Sequence, residues 1–206
     1  MAFRDRADAG QRLAEQLHDF AGRDDVIVLG LPRGGVPVAR EVADVLGVAV
    51  DAFLVRKLGV PGQSELAFGA IASGGVQVLN PSVVATVGVS AHQIDEVAAR
   101  ERAELARREE AYGASGQVRP ITILVDDGIA TGATMHAALQ AVREAGARAV
   151  VAAAPVASQQ AMERLRTVAD DLRVVAVPAY FGAVVNFYDD FDEVTDDEVR
   201  AALHRA

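Results

Sequence analysis

Cysteine is absent from the 206 residues, so disulfides, thiolate metal sites and thiol nucleophiles are excluded, and a reducing compartment fits. No apolar run reaches the roughly 20 residues needed to span a bilayer. Residues 1–20, MAFRDRADAGQRLAEQLHDF, lack an apolar core of signal-peptide length. A cytoplasmic protein without a membrane partner is expected. Basic charge is also scarce: the net charge is −9, and Lys57 is the only lysine among 20 basic residues. Non-specific binding to nucleic acid or an anionic membrane would work against that field, so any anionic ligand must meet a local site. No repeat, low-complexity stretch or Pro/Ser-rich linker divides the chain, and its 51% hydrophobic content is enough for a substantial core.

What is present is an alternation of apolar runs and Gly-punctuated amphipathic stretches. Residues 5–21 read as a helix with Leu13, Leu17 and Phe20 on one face. VIVLGL at 26–31 reads as a buried strand broken by PRGG, followed by a helix from Pro37 to Leu46 and a β-rich run at 48–57. ELAFGAIA and GVQVLN suggest a small antiparallel excursion. Ser90 with Gln93, and Thr195 with Glu198, have the spacing of capping boxes for helices at 91–112 and near the end of the chain. Strands at 121–126, 149–154 and 172–177 alternate with helices at 131–145 and 158–169. This order predicts an α/β fold, a doubly wound, mostly parallel sheet flanked by helices. The apolar stripe of 91–112 (Ile94, Ala98, Leu105, Tyr112) is interrupted by Glu101 and Arg102. That helix is either a solvated one laced with Glu/Arg pairs or a lid or dimer arm carrying Arg107 and Arg108, and a homodimer stays open.

The stretch ILVDDGIATGAT, residues 123–134, carries the chemistry. A buried parallel strand would deliver Asp126 and Asp127 to the sheet's carboxyl edge, where such sheets bind ligands. Adjacent carboxylates repel unless a cation or hydroxyls sit beside them, and a diol or hydrated magnesium would serve. The following helix start, with Thr131 and Thr134 and a close approach at Gly132, is suited to phosphate. A ribose 5-phosphate moiety carries both groups on one ring.

ILVDDGIATGAT closely resembles the ribose-phosphate motif of the type I phosphoribosyltransferases, and the order of parts resembles a bacterial group of that family whose acceptor is unassigned. One departure is Gly128, where the family usually has an apolar residue; looser packing is expected there. The resemblance implies a magnesium-dependent transfer of phosphoribose from phosphoribosyl pyrophosphate to a nitrogen nucleophile, such as a nucleobase. Asp126 and Asp127 would bind the ribose hydroxyls and the metal. Gly128, Ile129, Ala130, Thr131, Gly132, Ala133 and Thr134 would form the phosphate loop. Arg33, Gly34 and Gly35 would hold the diphosphate, with a non-proline cis peptide entering Arg33. Arg56 and Lys57 would either add charge on the diphosphate side or form a solvated strand end. VPGQSELAFGAIA resembles the family's mobile catalytic loop, in which Glu65 is either an acid–base group or a surface residue. On this view 1–206 is one domain, with 58–120 a mobile loop and charged helix, and 178–206 a C-terminal hood and helix.

Ala130 stands where enzymes acting on six-oxopurines carry an acidic residue, which argues against hypoxanthine or guanine as acceptor. Tyr180, Phe181, Phe187 and Tyr188 could stack on a planar ring or belong to the core. His18, His92, His136 and His204 lack metal-ligand spacing. The competing functional reading is a non-catalytic sensor of phosphoribosyl pyrophosphate or a nucleotide; transfer to a non-base acceptor and hydrolysis of a ribosyl phosphate are further alternatives.

Overall fold

The computed structural model describes residues 2–205, apart from the side chains of Ser64 and Glu65. The role considered for Glu65 therefore lies outside the described residues. In chain order the elements are α1 (Arg6–Glu15), β1 (Val26–Gly30), α2 (Gly35–Leu46), β2 (Ala49–Ala52), β3 (Val55–Val60), β4 (Gln63–Ala72) and β5 (Val76–Leu79). They are followed by α3 (Pro81–Val87), α4 (Ala91–Tyr112), β6 (Ile121–Val125), α5 (Ala133–Glu144), β7 (Ala149–Val156), α6 (Gln159–Leu165), β8 (Asp171–Ala176) and α7 (Asp196–His204). No described helix is long and apolar enough to cross a membrane.

Five strands form a parallel sheet in the order β2-β1-β6-β7-β8. Every residue of β1, and nearly all of β6 and β7, is buried, as strands covered on both faces must be. Leu13, Leu17, Val38 and Val42 of the α1–α2 layer cover one face, with Val28 and Ile123 beneath them. Met135, Leu139 and Val142 of α5 and Leu165 of α6 cover the other, over Leu29 and Leu124. The chain moves outward from β1 to β2 in one direction and from β6 to β8 in the other, so the order reverses between β1 and β6. Crossovers leave that point on opposite sides and open a crevice at its carboxyl end. Gly30 and Val125 are paired there in register.

The expected strand at 48–57 is corrected to two strands in different sheets. Phe53 still donates to the Gly30 carbonyl (3.0 Å), but Leu54 donates to Ser73 Oγ (3.0 Å) and has crossed over. From there β3, β4 and β5 form an antiparallel sheet, and VPGQSELAFGAIA supplies the turn of the β3–β4 hairpin at Pro61–Gly62, with Gly62 at φ 81°, and its second strand. Helix α3 was not expected, although Asn80 capping Val83 N–H and Pro81 in the first turn are recognised start signals. Both predicted capping boxes form. Helix α4 packs through Val97, Ala98, Leu105 and Tyr112 onto Leu58, Phe68 and Val199. Arg107 and Arg108 are both held by Glu104, each at 2.9 Å.

Candidate active site at the sheet switch point

Because β1 and β6 end side by side, PRGG and the two aspartates are in contact. Leu31 N–H donates to the Val125 carbonyl (2.8 Å), and the Pro32–Arg33 peptide is cis, as expected. A Cβ on Gly35 would lie 2.5 Å from the Val125 carbonyl oxygen and 2.9 Å from Asp126 Cα, and one on Gly34 only 1.9 Å from Asp127 Oδ2. Gly35 is therefore required by how closely the two backbones approach, and Gly34 makes room for the Asp127 carboxylate.

Asp126 accepts the Asp127 N–H (2.9 Å) on its own carboxylate. Burial, then the neighbouring Asp127 charge, pushes its pKa well above the usual carboxylate range. Burial also raises that of Asp127, against the opposing charge of Arg6. The pair is thus desolvated and electrostatically uncomfortable, a state that a cation or hydroxyl donors would relieve.

Sequence reasoning missed the support around Asp127. Arg6, at the start of α1, donates from Nε to Asp127 Oδ2 (2.9 Å) and from Nη1 to the Asp192 carbonyl (2.8 Å), and lies over the Phe191 ring, 3.9 Å from its centroid. The Tyr188 hydroxyl donates to the Asp127 carbonyl (2.6 Å), and burial raises its pKa. Phe3, Phe187 and Phe191 pack with Tyr188, while Phe181 stacks on Phe187 at 5.3 Å. Three of the four expected stacking aromatics are thus engaged in this cluster; Tyr180, 85% exposed, is not. No periodicity marks Arg6, since its partners lie more than 120 residues away.

Beyond the aspartates the chain is braced by the β7–α6 junction. Ile129 N–H donates to the Val156 carbonyl (2.9 Å), Ser158 N–H to the Ile129 carbonyl (2.9 Å), and Ser158 Oγ to the Ala130 carbonyl. Gly132 caps α5 at φ 72°, with Ala161 3.3 Å from where its Cβ would be. The helical ladder begins with His136 N–H to the Gly132 carbonyl (2.8 Å), and among the described residues the N–H groups of Thr131, Gly132 and Thr134 have no hydrogen-bond partner. Twelve helical residues stand behind them, and anions are favoured at such a start. Thr131 and Thr134 are exposed beside it. The looser packing expected at Gly128 is corrected: Val184 would be 2.5 Å from a Cβ there, so a side chain from the C-terminal segment already fills the space.

The basic residues are distributed differently from the expectation. Arg56 and Lys57 are on β3, not at the end of the second parallel strand. Alternation along the strand turns Arg56 toward α4, where it binds Glu101 at 2.7 Å. Lys57 borders a cavity of about 340 Å³ shared with Ala133 and His136 of α5 and with Asn80. Burial, then Arg164, lowers the His136 pKa and favours neutral imidazole. The Arg33 guanidinium pairs with Glu193. A larger cavity, about 590 Å³, lies between the β3–β4 hairpin and α4; Arg56 and Lys57 line it, and neither aspartate does. Its size is less informative than the chemistry at the sheet edge, where the polar groups converge.

A crevice at the switch point of a doubly wound α/β sheet, edged by paired carboxylates, a Gly-Gly turn and an open helix start, is where proteins of this class bind ligands. The chain belongs to the phosphoribosyl transferase domain family, whose model matches residues 3–192. It is 48% identical over 208 residues to the Mycobacterium tuberculosis H37Rv protein named "Putative phosphoribosyl transferase Rv0571c", with 99% of this chain and 47% of the relative covered. The counterpart in strain CDC 1551 / Oshkosh, named "Putative phosphoribosyl transferase MT0597", gives the same figures. The chain spans about half the length of these curated relatives. The crystal structure of TT1426 from Thermus thermophilus superposes with a TM-score of 0.87 at 46% identity, covering 98% of each chain.

Proposed function

We propose that this chain transfers the 5-phosphoribosyl group from phosphoribosyl pyrophosphate to a nitrogen nucleophile, with a nucleobase the favoured acceptor, and releases pyrophosphate. The observation that carries the reading is the junction at the switch point: Gly34 and Gly35 pressed against Asp126 and Asp127, next to the open start of α5. In this scheme the N–H groups and hydroxyls of Thr131 to Thr134 hold the 5-phosphate, Asp126 and Asp127 accept the ribose hydroxyls, and the backbone of Arg33–Gly35 faces the diphosphate. Catalysis is then mainly positioning and electrostatics, since the ribose ring gains positive character as its bond to diphosphate lengthens. Tyr180, the exposed aromatic beyond β8, is the side chain left to meet a planar acceptor.

Among the described residues no cluster of three or more metal-ligating side chains could cage an ion. A pair of carboxylates supplemented by substrate oxygens and water suits magnesium, which rarely uses an all-protein cage. Asp126 and Asp127 would hold it, and it would neutralise charge on the departing diphosphate.

A second reading, ligand sensing without transfer, is favoured by one observation. Arg33 and Arg56, two cations assigned to the diphosphate, are already paired with Glu193 and Glu101, so ligand would exchange one set of ion pairs for another. Pyrophosphate release with magnesium, measured across purine, pyrimidine and pyridine acceptors alongside calorimetry of phosphoribosyl pyrophosphate, separates the two. Release with one acceptor establishes transfer, binding without release supports sensing, and no binding removes both.

A further inference from the structure

Arg6 is the cation of the site that no motif announces. Its side chain is 13% exposed, and its partners come from three places: the Asp127 carboxylate at 2.9 Å, the Asp192 carbonyl at 2.8 Å and the face of Phe191 at 3.9 Å. We propose that Arg6 is a positioning residue for recognition of the ribose diol: it fixes the Asp127 carboxylate by occupying Oδ2, so that Oδ1 is presented to a sugar hydroxyl. This rests on the reading above, that the two aspartates meet a ribose 5-phosphate group.

The surroundings leave residue 127 little freedom apart from this contact. Its N–H is committed to Asp126 at 2.9 Å and its carbonyl to Tyr188 at 2.6 Å. Gly34 presses on the carboxylate so closely that a methyl group there would be 1.9 Å from Oδ2. Among the described residues, Arg6 is the one cationic side chain that donates to that carboxylate, which lies beside the Asp126 carboxyl. An arginine suits the task better than a lysine. Its fork serves Asp127 and Asp192 at once while the plane rests on an aromatic face, and an ammonium group cannot reproduce all three contacts. The geometry makes Arg6 a determinant of sugar specificity, acting through Asp127 and not by touching the ligand.

The test is calorimetric titration of the whole protein, with magnesium, using ribose 5-phosphate and 2-deoxyribose 5-phosphate, which lacks the diol. Wild type is expected to prefer the ribose compound by about tenfold or more, the worth of a hydrogen bond to a charged group. Arg6→Gln should bring that ratio toward one while the affinity for the deoxy compound, read mainly at the phosphate loop, stays within about twofold. Arg6→Lys should restore part of the ratio. Phe191→Leu, which removes the ring under the guanidinium, should lower the ratio by a smaller factor and serves if Arg6→Gln does not fold. An unchanged ratio in Arg6→Gln or, failing its folding, in Phe191→Leu overturns the proposal and leaves the functional reading standing. Equal loss of both affinities also overturns it, by showing only a structural role. A wild type that binds both sugars alike, or neither, removes the reading together with the proposal.

Discussion

Gly34→Ala separates the demands of the backbone from those of the site. Gly34 sits at φ −63° and ψ −31°, where any residue is at ease. By itself the substitution should therefore stabilise the protein by about 0.4–1 kcal/mol, through a less flexible unfolded chain. The new Cβ, however, would lie 1.9 Å from Asp127 Oδ2, whereas ordinary contact starts at 3.4 Å. The carboxylate would have to retreat by roughly 1.5 Å, far enough to break a hydrogen bond to a charged group worth about 1.5–3 kcal/mol. The expected net loss is about 1–2 kcal/mol, or a fall in Tm of about 2–8 °C for a chain of this size. The decisive comparison is a double-mutant cycle by thermal and denaturant unfolding. In an Asp127→Ala background the obstructing atoms are gone, and Gly34→Ala should be neutral or slightly stabilising. The same loss in both backgrounds, or a gain in the wild-type background, would refute the claim that Gly34 is there to let Asp127 in.

Three further outcomes follow from the same structure. Asp127→Asn should weaken ribose-phosphate binding and any turnover while leaving the circular dichroism spectrum unchanged; wild-type binding in a folded variant would remove Asp127 from the site. Tyr188→Phe leaves the Asp127 carbonyl without its 2.6 Å donor and should cost about 1–3 kcal/mol in urea unfolding, with no loss arguing that another donor replaces it. Hydrogen bonds from Arg107 and then Arg108 hold the Glu104 pKa down to about 2, below its ordinary value of 4.5. Because the folded value is depressed, its contribution to stability is complete above about pH 4.5 and is lost as the pH falls toward 2. An NMR titration that puts Glu104 near 4.5 would show the pairing to be broken in solution.

Much of the fold was legible because its signals are local. Apolar runs marked the parallel strands, the two capping boxes marked α4 and α7, and the position of the Asp-Asp pair after β6 placed the site at a sheet edge. What escaped depends on long-range contact. The run from Val48 to Lys57 is rich in β-formers without a turn signal, and only the exchange of partners from Gly30 to Ser73 at Phe53–Leu54 divides it between two sheets. That division moved Arg56 to Glu101 and left Lys57 bordering cavities beside both α4 and α5. The hairpin in VPGQSELAFGAIA was open to inspection, since Pro-Gly suits the middle of a two-residue turn, but its Gly- and Ala-rich strand offers few β-formers. The support from Arg6, Tyr188 and Phe191 left no periodic trace. Each residue is unremarkable within its own segment, and only tertiary packing gives it a role.

The bridge between Phe3 and Tyr188 bears on how the molecule is made. Phe3 N–H donates to the Phe187 carbonyl and Asp189 N–H to the Phe3 carbonyl, both at 2.8 Å, so Phe3 finds its partners in a segment that is translated long after it. During synthesis the five strands are complete by Ala176, while Arg6 still lacks Phe191 and the Asp127 carbonyl still lacks Tyr188. Chains truncated before residue 187 should therefore have a sheet but an unfinished crevice. The crevice would then be completed in one step after the sheet, when two segments far apart in sequence come together.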